Sequence, residues 1–493
     1  MNAKSTGMRG TAAAIRGGEV SAVDTIGQCL ERIGEVDPAI NAFHEIWQDH
    51  AIARAEGIDL AVAAGDDPGV LAGVPIAIKD NIATSHGTTT CGSRMLEHYK
   101  SPFDATVVER LEAAGAILIG KTNCDEFAMG SSTEHCAWGA TRNPWDPSRV
   151  PGGSSGGSAA AVSANLCCGA LGSDTGGSIR QPAALCGIVG FKPSYGMVSR
   201  FGLVAFASSL DQVGPFASSV DDAAMMMQAI AGFDEKDSTS SDCETPNFTA
   251  ELDQPVSELR IGIPPQFLDE RNEPAVTQAV SNAIDTFRSL GATIVDIDLP
   301  LTDVGVSIYY VIAPAEACSN LARYDGIRYG HRTQHGDGDL FDLYARSRAE
   351  GFGDEVKRRI MLGTYVLSAG YYDAYYNTAL KVRRLIRDEY MAAFSKCDAI
   401  LGPTSPTVAF ELGAKADPVS MYLCDIYTAN ANIAGICGVS LPGGFSEEHG
   451  SPLPIGVQLQ GPAFDDARLL RIARMFEQSN GEPRRPDLAA LIA

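Results

Sequence analysis

The chain has 493 residues, and its content of 45% hydrophobic and 20% charged residues is that of an ordinary globular protein. This composition excludes a disordered or a collagen-like chain. Acidic residues outnumber basic residues by 61 to 38 and give a net charge of −23, so the average surface repels phosphate and the chain alone is expected to bind nucleic acid poorly.

Helical and strand patterns alternate along the sequence. Apolar residues at helical spacing after Ser21 predict a helical segment within residues 1–70, with the Ser21 hydroxyl as its cap. A short β-branched run over 74–79 predicts a strand that ends at Lys79. Further elements are expected at 105–114 (helix), 116–119 (strand), 259–263 (strand), 275–290 (helix), 292–297 (strand), 399–401 (strand) and 455–459 (strand). This alternation predicts an α/β fold with a sheet covered by helices on both faces.

Two other regions differ from this pattern. The polar, turn-rich stretch 232–257 predicts a surface loop. Residues 305–395 are expected to be mainly helical and to form a lid or a substrate-side subregion.

The sequence also predicts the cellular location of the protein and the redox state of its cysteines. The first 20 residues contain no apolar run typical of a signal peptide, and no segment has the length of an apolar membrane span, so a cytoplasmic protein without membrane contact is expected. The twelve cysteines lie mostly beside apolar neighbours, which predicts reduced thiols. Without Cys-x-x-Cys spacing or clustered histidines, no metal site is predicted.

Two short motifs match known patterns but lack the required context. Residues 115–122 fit the phosphate-binding P-loop, yet the residues between the two glycines form an apolar strand instead of a flexible loop. Residues 152–156 fit the Gly-x-Ser-x-Gly elbow of hydrolases, but the proline-rich segment before them cannot be a central strand. Neither motif is therefore expected to carry its usual function.

Two clusters of glycine and serine are more informative. They cover 151–158 and 172–180 and are separated by the nearly continuous apolar segment 159–171. Both clusters could be flexible loops. Linkers are not normally embedded in apolar sequence, however, so the pattern favours a buried element that separates two turns and lets their backbones converge.

Such convergent turns suit acyl transfer through a serine. A serine hydroxyl needs an adjacent base, and without a persuasive histidine the candidate base is a lysine that burial keeps neutral. Lys79 fits this description, although taken alone it would more often be a solvated strand end. Backbone N–H groups of the glycine-rich turn can stabilise an oxyanion, and the candidates are those of Thr175, Gly176, Gly177 and Ser178.

The residues 73–81, 152–158, 172–182 and 187–193 resemble the signature of the amidase signature family. The resemblance covers most of residues 70–220, the expected signature core. It implies a single large domain over residues 1–493 with a mixed central β-sheet. It also implies a catalytic triad with Ser178 as nucleophile, Ser154 as a bridging serine that follows a cis peptide bond, and Lys79 as base.

Three longer stretches carry a closer likeness within this family. Residues 123–134, 198–212 and 355–360 resemble the glutamine-hydrolysing subunits of tRNA-dependent amidotransferases, and the likeness spans nearly the whole chain. It implies that Arg358 binds the α-carboxylate of glutamine and Asp425 its α-ammonium group, with Tyr309 nearby. A zwitterionic substrate does require one fixed charge of each sign.

The same resemblance implies a cytoplasmic heterotrimer with B and C subunits. Ammonia from glutamine would pass to the B subunit, which uses ATP and Mg²⁺ and holds most of the misacylated tRNA, so no cofactor is expected in this chain. Glu-tRNA(Gln) is the expected substrate of the complex, and Asp-tRNA(Asn) stays open. The pair His135-Cys136 departs from the smaller polar residues of the family pattern.

Two alternatives stay open at this point. The chain could be a stand-alone amidase that acts on some other small amide with the same triad. It could also be a non-catalytic assembly protein whose Gly/Ser clusters are structural, although intact Lys79, Ser154 and Ser178 argue against this.

Overall fold

One eleven-stranded β-sheet connects the segments that the sequence analysis singled out. The computed structural model describes residues 7–336, 338–415, 417–481 and 484–492. The strands are β1 (Phe43–Ile46), β2 (Pro75–Lys79), β3 (Ile117–Thr122), β4 (Gly169–Asp174), β5 (Val189–Lys192), β6 (Gln212–Ala217), β7 (Arg260–Ile263), β8 (Thr293–Asp296), β9 (Ala399–Pro403), β10 (Cys437–Ser446) and β11 (Leu453–Gly461).

The strand order shows that the sheet is mixed. It runs β1-β3-β2-β4-β6-β5-β10-β11-β9-β7-β8. Strands β3, β2 and β4 are parallel neighbours, as are β9, β7 and β8, and the remaining pairs are antiparallel. The expected mixed central sheet in a single α/β domain is therefore confirmed.

Helices flank this sheet. They are α1 (Gly7–Arg16), α2 (Ala22–Ile40), α3 (Gln48–Ala64), α4 (Thr106–Ala113), α5 (Gly156–Ser163), α6 (Arg180–Cys186), α7 (Val220–Ile230), α8 (Pro274–Ser289), α9 (Thr302–Leu321), α10 (Leu340–Gly351), α11 (Asp354–Leu367), α12 (Thr378–Phe394), α13 (Pro418–Tyr422), α14 (Ala429–Ala434), α15 (Asp466–Ser479) and α16 (Leu488–Ile492). A single π-helical turn, Tyr372–Asn377, precedes α12.

Side chains that alternate along β2 enter two different cores, one on each face of the sheet. Ile76 and Ile78 pack with residues of α7 and α15. Ala77, between them, packs with residues of α2 and α5. A third cluster joins α9, α12 and α14 in the helical subregion and includes Tyr309 and Tyr427. The sheet is thus covered on both faces, as the alternation predicted.

The predicted elements lie close to the observed ones. Ser21 caps α2, and its Oγ accepts the N–H of Asp24 at 3.2 Å. Residues 232–257 contain no helix or strand, although Phe248 and Leu252 within them are buried. The twelve cysteines are all unpaired. Across the described ranges, no helix combines the length and the hydropathy needed to cross a membrane.

Candidate active site

Lys79 lies at the end of a buried strand, where its amine meets three serine hydroxyls. β2 and β4 are parallel, with Ile78 opposite Leu171, so their carboxyl ends meet at one edge of the sheet. Lys79 Nζ lies 2.8 Å from Ser154 Oγ and 2.9 Å from the Oγ atoms of Ser155 and Ser173, which adjoin it from α5 and β4. The lysine has no exposed surface, which rules out the solvated strand end.

Burial favours the neutral form of the Lys79 amine. It lowers the pKa of Lys79 to about 8, against the opposing influence of Cys124 and of Asp125, Asp174 and Asp211. No carboxylate of the described residues lies within ion-pair distance of Nζ to stabilise the ammonium form. A substantial fraction of the amine is therefore unprotonated in mildly alkaline solution.

The hydrogen bonds around the amine allow a proton to pass to it from Ser154. A neutral amine has two N–H donors and one lone pair. Ser155 Oγ already donates to the carbonyl oxygen of Ser173 at 3.0 Å, so Ser155 accepts from Lys79. Ser173 Oγ accepts from the amide of Asn81 at 2.9 Å. The Ser154 hydroxyl can then donate to the lone pair, which is the direction that general-base catalysis requires.

The turn that carries Ser154 is fixed by its neighbours. The peptide bond between Gly153 and Ser154 is cis, the geometry that the family resemblance implies. The N–H of Gly153 donates to Gln181 Oε1 at 3.0 Å, and the carbonyl oxygen of Ser154 accepts the N–H of Asp125 at 3.1 Å. These contacts join the first Gly/Ser cluster to the start of α6.

Ser178 lies in the second cluster, just before α6. It keeps 8% of its surface exposed, whereas Lys79 and Ser154 have none, so it is the member of the predicted triad that solvent can reach. No hydrogen bond joins Ser178 to Ser154 within the described residues. The structure therefore shows the contact between Lys79 and Ser154 but no direct link from Ser154 to Ser178.

Four consecutive backbone N–H groups lead to the Ser178 side chain. Those of Thr175, Gly176, Gly177 and Ser178 donate to no acceptor in the part of the chain that the structure describes. The turn itself is held by its carbonyl groups, since Thr428 Oγ1 donates to the oxygen of Gly176 at 2.7 Å. Backbone donors held this way can stabilise an oxyanion that forms beside Ser178.

Tyr309 and Asp425 lie against the same turn. A Cβ at Gly176 would approach Tyr309 Cζ to 2.7 Å, and one at Gly177 would approach Asp425 Oδ1 to 3.0 Å, so glycine permits both contacts. Burial raises the pKa of Asp425 to about 7, and the hydroxyl of Ser131, which donates at 2.7 Å, partly offsets this. A cation beside Asp425 would favour its carboxylate form.

Two adjacent arginines on α11 differ sharply in burial. The Arg358 side chain is 48% exposed, and its Nη1 donates to Glu355. The Arg359 side chain is buried, donates from Nε to Glu355 at 2.8 Å and lies over the rings of Tyr310 and Tyr422 at 4.8 and 5.1 Å. Although burial opposes ionisation, the charges of Arg359 and then Arg358 lower the pKa of Glu355.

The structure therefore brings together some of the predicted residues and not others. Tyr309 and Asp425 lie beside the glycines that precede Ser178. Arg358 contacts neither of them within the described ranges and faces Glu355 instead. The sequence analysis identified the more exposed arginine of the pair and gave no role to the buried Arg359.

Sequence reasoning also missed the polar groups that surround the triad. Ser155 and Ser173 belong to the two Gly/Ser clusters, so the convergence of those clusters was the signal that could have identified them. Asn81 follows Lys79 by two residues and marks the same strand end. Ser131, the partner of Asp425, lies far from it in sequence and left no local signal.

Both rejected motifs are structural. Lys121 lies inside β3 and is buried, and its Nζ donates to the carbonyl oxygen of Ile82 and to Thr89 Oγ1, so residues 115–122 form no phosphate loop. In the described chain no strand lies between β3 and α5, which excludes the hydrolase elbow at 152–156. His135 is exposed, and its backbone N–H donates to Asp125 at 3.1 Å.

The site can now be compared with those of known proteins. Residues 24–470 match the family model described as Amidase. The chain belongs to the amidase family. Over 94% of its length this amidase is 55% identical to the A subunit of glutamyl-tRNA(Gln) amidotransferase from Carboxydothermus hydrogenoformans, 95% of which is covered. The protein of the same name from Methylobacillus flagellatus is 54% identical over 93% of this amidase and 94% of the relative.

Solved structures agree with this assignment. The crystal structure of the glutamyl-tRNA(Gln) amidotransferase A subunit from Thermotoga maritima is 45% identical, with a TM-score of 0.78 and 94% of each chain covered. The native peptide amidase from Stenotrophomonas maltophilia is 31% identical, with a TM-score of 0.84 and 99% of each chain covered. The amidase fold thus holds over nearly the entire chain. The described residues contain no group of three or more His, Cys, Asp or Glu side chains that could hold a metal ion.

The buried amine predicts an unusual dependence of stability on pH. The folded-state pKa of Lys79, about 8, lies below its unfolded value of 10.5, so the unfolded chain binds more protons between these values and stability rises with pH across this window. Lys79→Met removes this rise. We expect the difference in unfolding free energy between the wild type and the variant to increase by up to about 3 kcal/mol in favour of the wild type between pH 7.5 and 10.5. Urea titrations at a series of pH values measure it.

Lys100→Met is the matched control, since Lys100 is exposed. Its unfolding free energy should follow the wild type at every pH. Parallel curves for the wild type and Lys79→Met would contradict a desolvated amine at position 79.

Proposed function

We propose that the chain hydrolyses the side-chain amide of glutamine and supplies the ammonia to a tRNA-dependent amidotransferase. The observation that carries this is the contact of 2.8 Å between the buried Lys79 amine and Ser154, and the predicted nucleophile Ser178 is the triad member with exposed surface. The identity of 55% to the A subunit of a glutamyl-tRNA(Gln) amidotransferase supports the choice of reaction.

The chemistry proceeds in two half-reactions. Ser178 Oγ attacks the amide carbon while its proton passes to Ser154, whose own proton passes to Lys79. The resulting oxyanion accepts hydrogen bonds from the N–H groups of residues 175–178. Collapse breaks the C–N bond, returns the proton from Lys79 through Ser154 to the leaving nitrogen and releases ammonia. Water then attacks the γ-glutamyl ester by the same route and frees glutamate and Ser178.

Recognition of glutamine requires contacts to both its α-ammonium and its α-carboxylate group. Asp425, which burial holds near its point of ionisation, binds the α-ammonium group, and that charge keeps it a carboxylate. Arg358 binds the α-carboxylate with the part of its guanidinium that does not face Glu355. Tyr309 lies against Gly176 and limits the width of the pocket.

The ammonia serves a partner. We infer a cytoplasmic heterotrimer in which a B subunit uses ATP and Mg²⁺ to activate the glutamate carried by tRNA(Gln), and a C subunit braces the pair. Aspartate carried by tRNA(Asn) is the second candidate acceptor. The net charge of −23 is consistent with a partner that holds most of the tRNA.

A stand-alone amidase is the second candidate function. The peptide amidase of Stenotrophomonas maltophilia, with a TM-score of 0.84, favours it, because the same fold there acts on a different amide. The two functions differ in whether glutamine and its charged groups are required.

The nucleophile provides the first test. Ser178→Ala should lower glutamine-dependent ammonia release by the assembled complex at least about a thousandfold, because it removes the group that forms the ester. Coupled measurement of ammonia at saturating glutamine, with misacylated tRNA and ATP added last, reports this. Unchanged release by a complex that still assembles would establish the non-catalytic assembly protein instead.

The pH profile tests the base. Lys79 must be neutral and Asp425 ionised, so kcat/KM for glutamine should fall about tenfold per pH unit between pH 8 and 7, and about a hundredfold per unit below pH 7. Asp425→Asn should weaken glutamine binding and leave only the shallower slope. A profile that is flat from pH 8 to 6 would refute the lysine base.

Arg358 separates the two candidate functions. Arg358→Ala should raise KM for glutamine about 10- to 100-fold through loss of a charge-assisted hydrogen bond, while kcat/KM for propionamide, which has no α-carboxylate, changes little. The adjacent Lys357, whose side chain is 39% exposed, provides the control Lys357→Ala, for which we expect near wild-type values. Efficient hydrolysis of simple amides that Arg358→Ala leaves intact, with poor hydrolysis of glutamine, would identify a stand-alone amidase.

A further inference from the structure

A groove along α12 shares no lining residue with the site described above. It encloses a cavity of about 690 Å³ between α12, the end of α14 and the turn after β11. One stripe of α12 lines it, with residues at positions 380, 383, 384, 387, 388 and 391, which is the spacing of a single helix face.

The groove carries positive charge on a strongly acidic protein. Three arginines line it against one carboxylate, that of Asp388. Arg383 is held in place, since it donates to the carbonyl oxygen of Ser209 at 2.8 Å and to that of Ile433 at 3.1 Å. Arg384 only approaches Asp388, at 3.7 Å. Arg387 is exposed and forms no hydrogen bond or ion pair with the described residues.

The opposite wall is apolar and conformationally unusual. Phe464 is 44% exposed. Its φ is +66°, in the left-handed region that bulky residues rarely adopt. Its N–H donates to Ser194 Oγ at 2.7 Å, which holds the backbone in this conformation. On α12 itself, Leu380 and Met391 are 37% and 39% exposed and add apolar surface to the groove.

We propose that this groove binds an extended segment of a partner protein in the complex, one that carries acidic and apolar side chains. Carboxylates of the segment pair with Arg384 and Arg387, and an apolar side chain packs on Phe464. Charge complementarity favours an acidic segment, because three arginines line the groove against one carboxylate and Arg387 has no ion-pair partner among the described residues. The exposed aromatic and aliphatic surface favours polypeptide over a phosphate backbone. This inference rests on the proposed function, in which the chain works within a multi-subunit complex.

The test is the affinity of purified wild-type and variant chains for the purified B and C subunits. We expect the double variant Arg384→Glu/Arg387→Glu and the single variant Phe464→Ala each to weaken assembly about tenfold or more. Between 50 and 500 mM salt, the affinity of the double variant should change less than that of the wild type. Arg288→Glu, at an exposed arginine of α8 that does not line the groove, is the matched control.

Unfolding midpoints in urea equal to that of the wild-type chain show that the variants are folded. If the wild type binds the B and C subunits and both variants bind them equally well, the proposed role of the groove is wrong and the proposed function is unaffected. Failure of the wild type to bind either of these subunits would instead overturn the proposed function and this inference with it. Loss of tRNA binding or of self-association in the variants, with affinity for the B and C subunits retained, would also reject the proposed occupant.

Discussion

The site depends on one constraint, the placement of an amine where water cannot reach it. Lys79 has no exposed surface and no carboxylate partner among the described residues, so its ammonium form is disfavoured. Three hydroxyl groups replace the solvent that it has lost. Hydroxyls satisfy the hydrogen-bonding capacity of an amine without holding its proton, as a carboxylate would. These three contacts therefore satisfy the hydrogen-bonding groups of the buried Lys79 amine and still leave it able to accept a proton.

The architecture of the sheet makes this placement possible. Parallel β2 and β4 bring Lys79 and Ser173 to one edge, and α5 begins there with Ser154 and Ser155 just ahead of it. Helix α5 is entirely buried and is built from small residues, so it can lie directly against the strands. A larger residue at Gly157 would meet the backbone of Asn123, so glycine is required where the helix starts.

The sequence allowed the chemistry to be predicted better than its surroundings. The alternation of strands and helices and the two Gly/Ser clusters are local signals, and both correspond to observed elements. By contrast, β1 and the long pair β10 and β11 were not anticipated in full, because short or Gly-containing strands carry weak periodicity. Strand order is decided by distant pairings, which no local pattern encodes. The family resemblance, and not periodicity, indicated that the sheet is mixed.

The same distinction holds within the site. Lys79 and the serines could be identified because they end or interrupt apolar runs. Ser131 meets Asp425 only through the fold, and the burial of Arg359 depends on how α11 packs against two tyrosines. An arginine pair in a sequence does not reveal which member faces solvent.

The pair Arg358 and Arg359 shares one carboxylate, which bears on the substrate-binding role proposed for Arg358. Glu355 accepts hydrogen bonds from both guanidinium groups, and also lies 3.2 Å from the hydroxyl of Tyr422, which donates to it. Arg359 pairs with Glu355 from the buried side, and its guanidinium lies over the rings of Tyr310 and Tyr422. Arg358 donates to the same carboxylate from the more exposed side. A guanidinium has five N–H donors, so Arg358 can keep this contact and still bind an incoming carboxylate with the others.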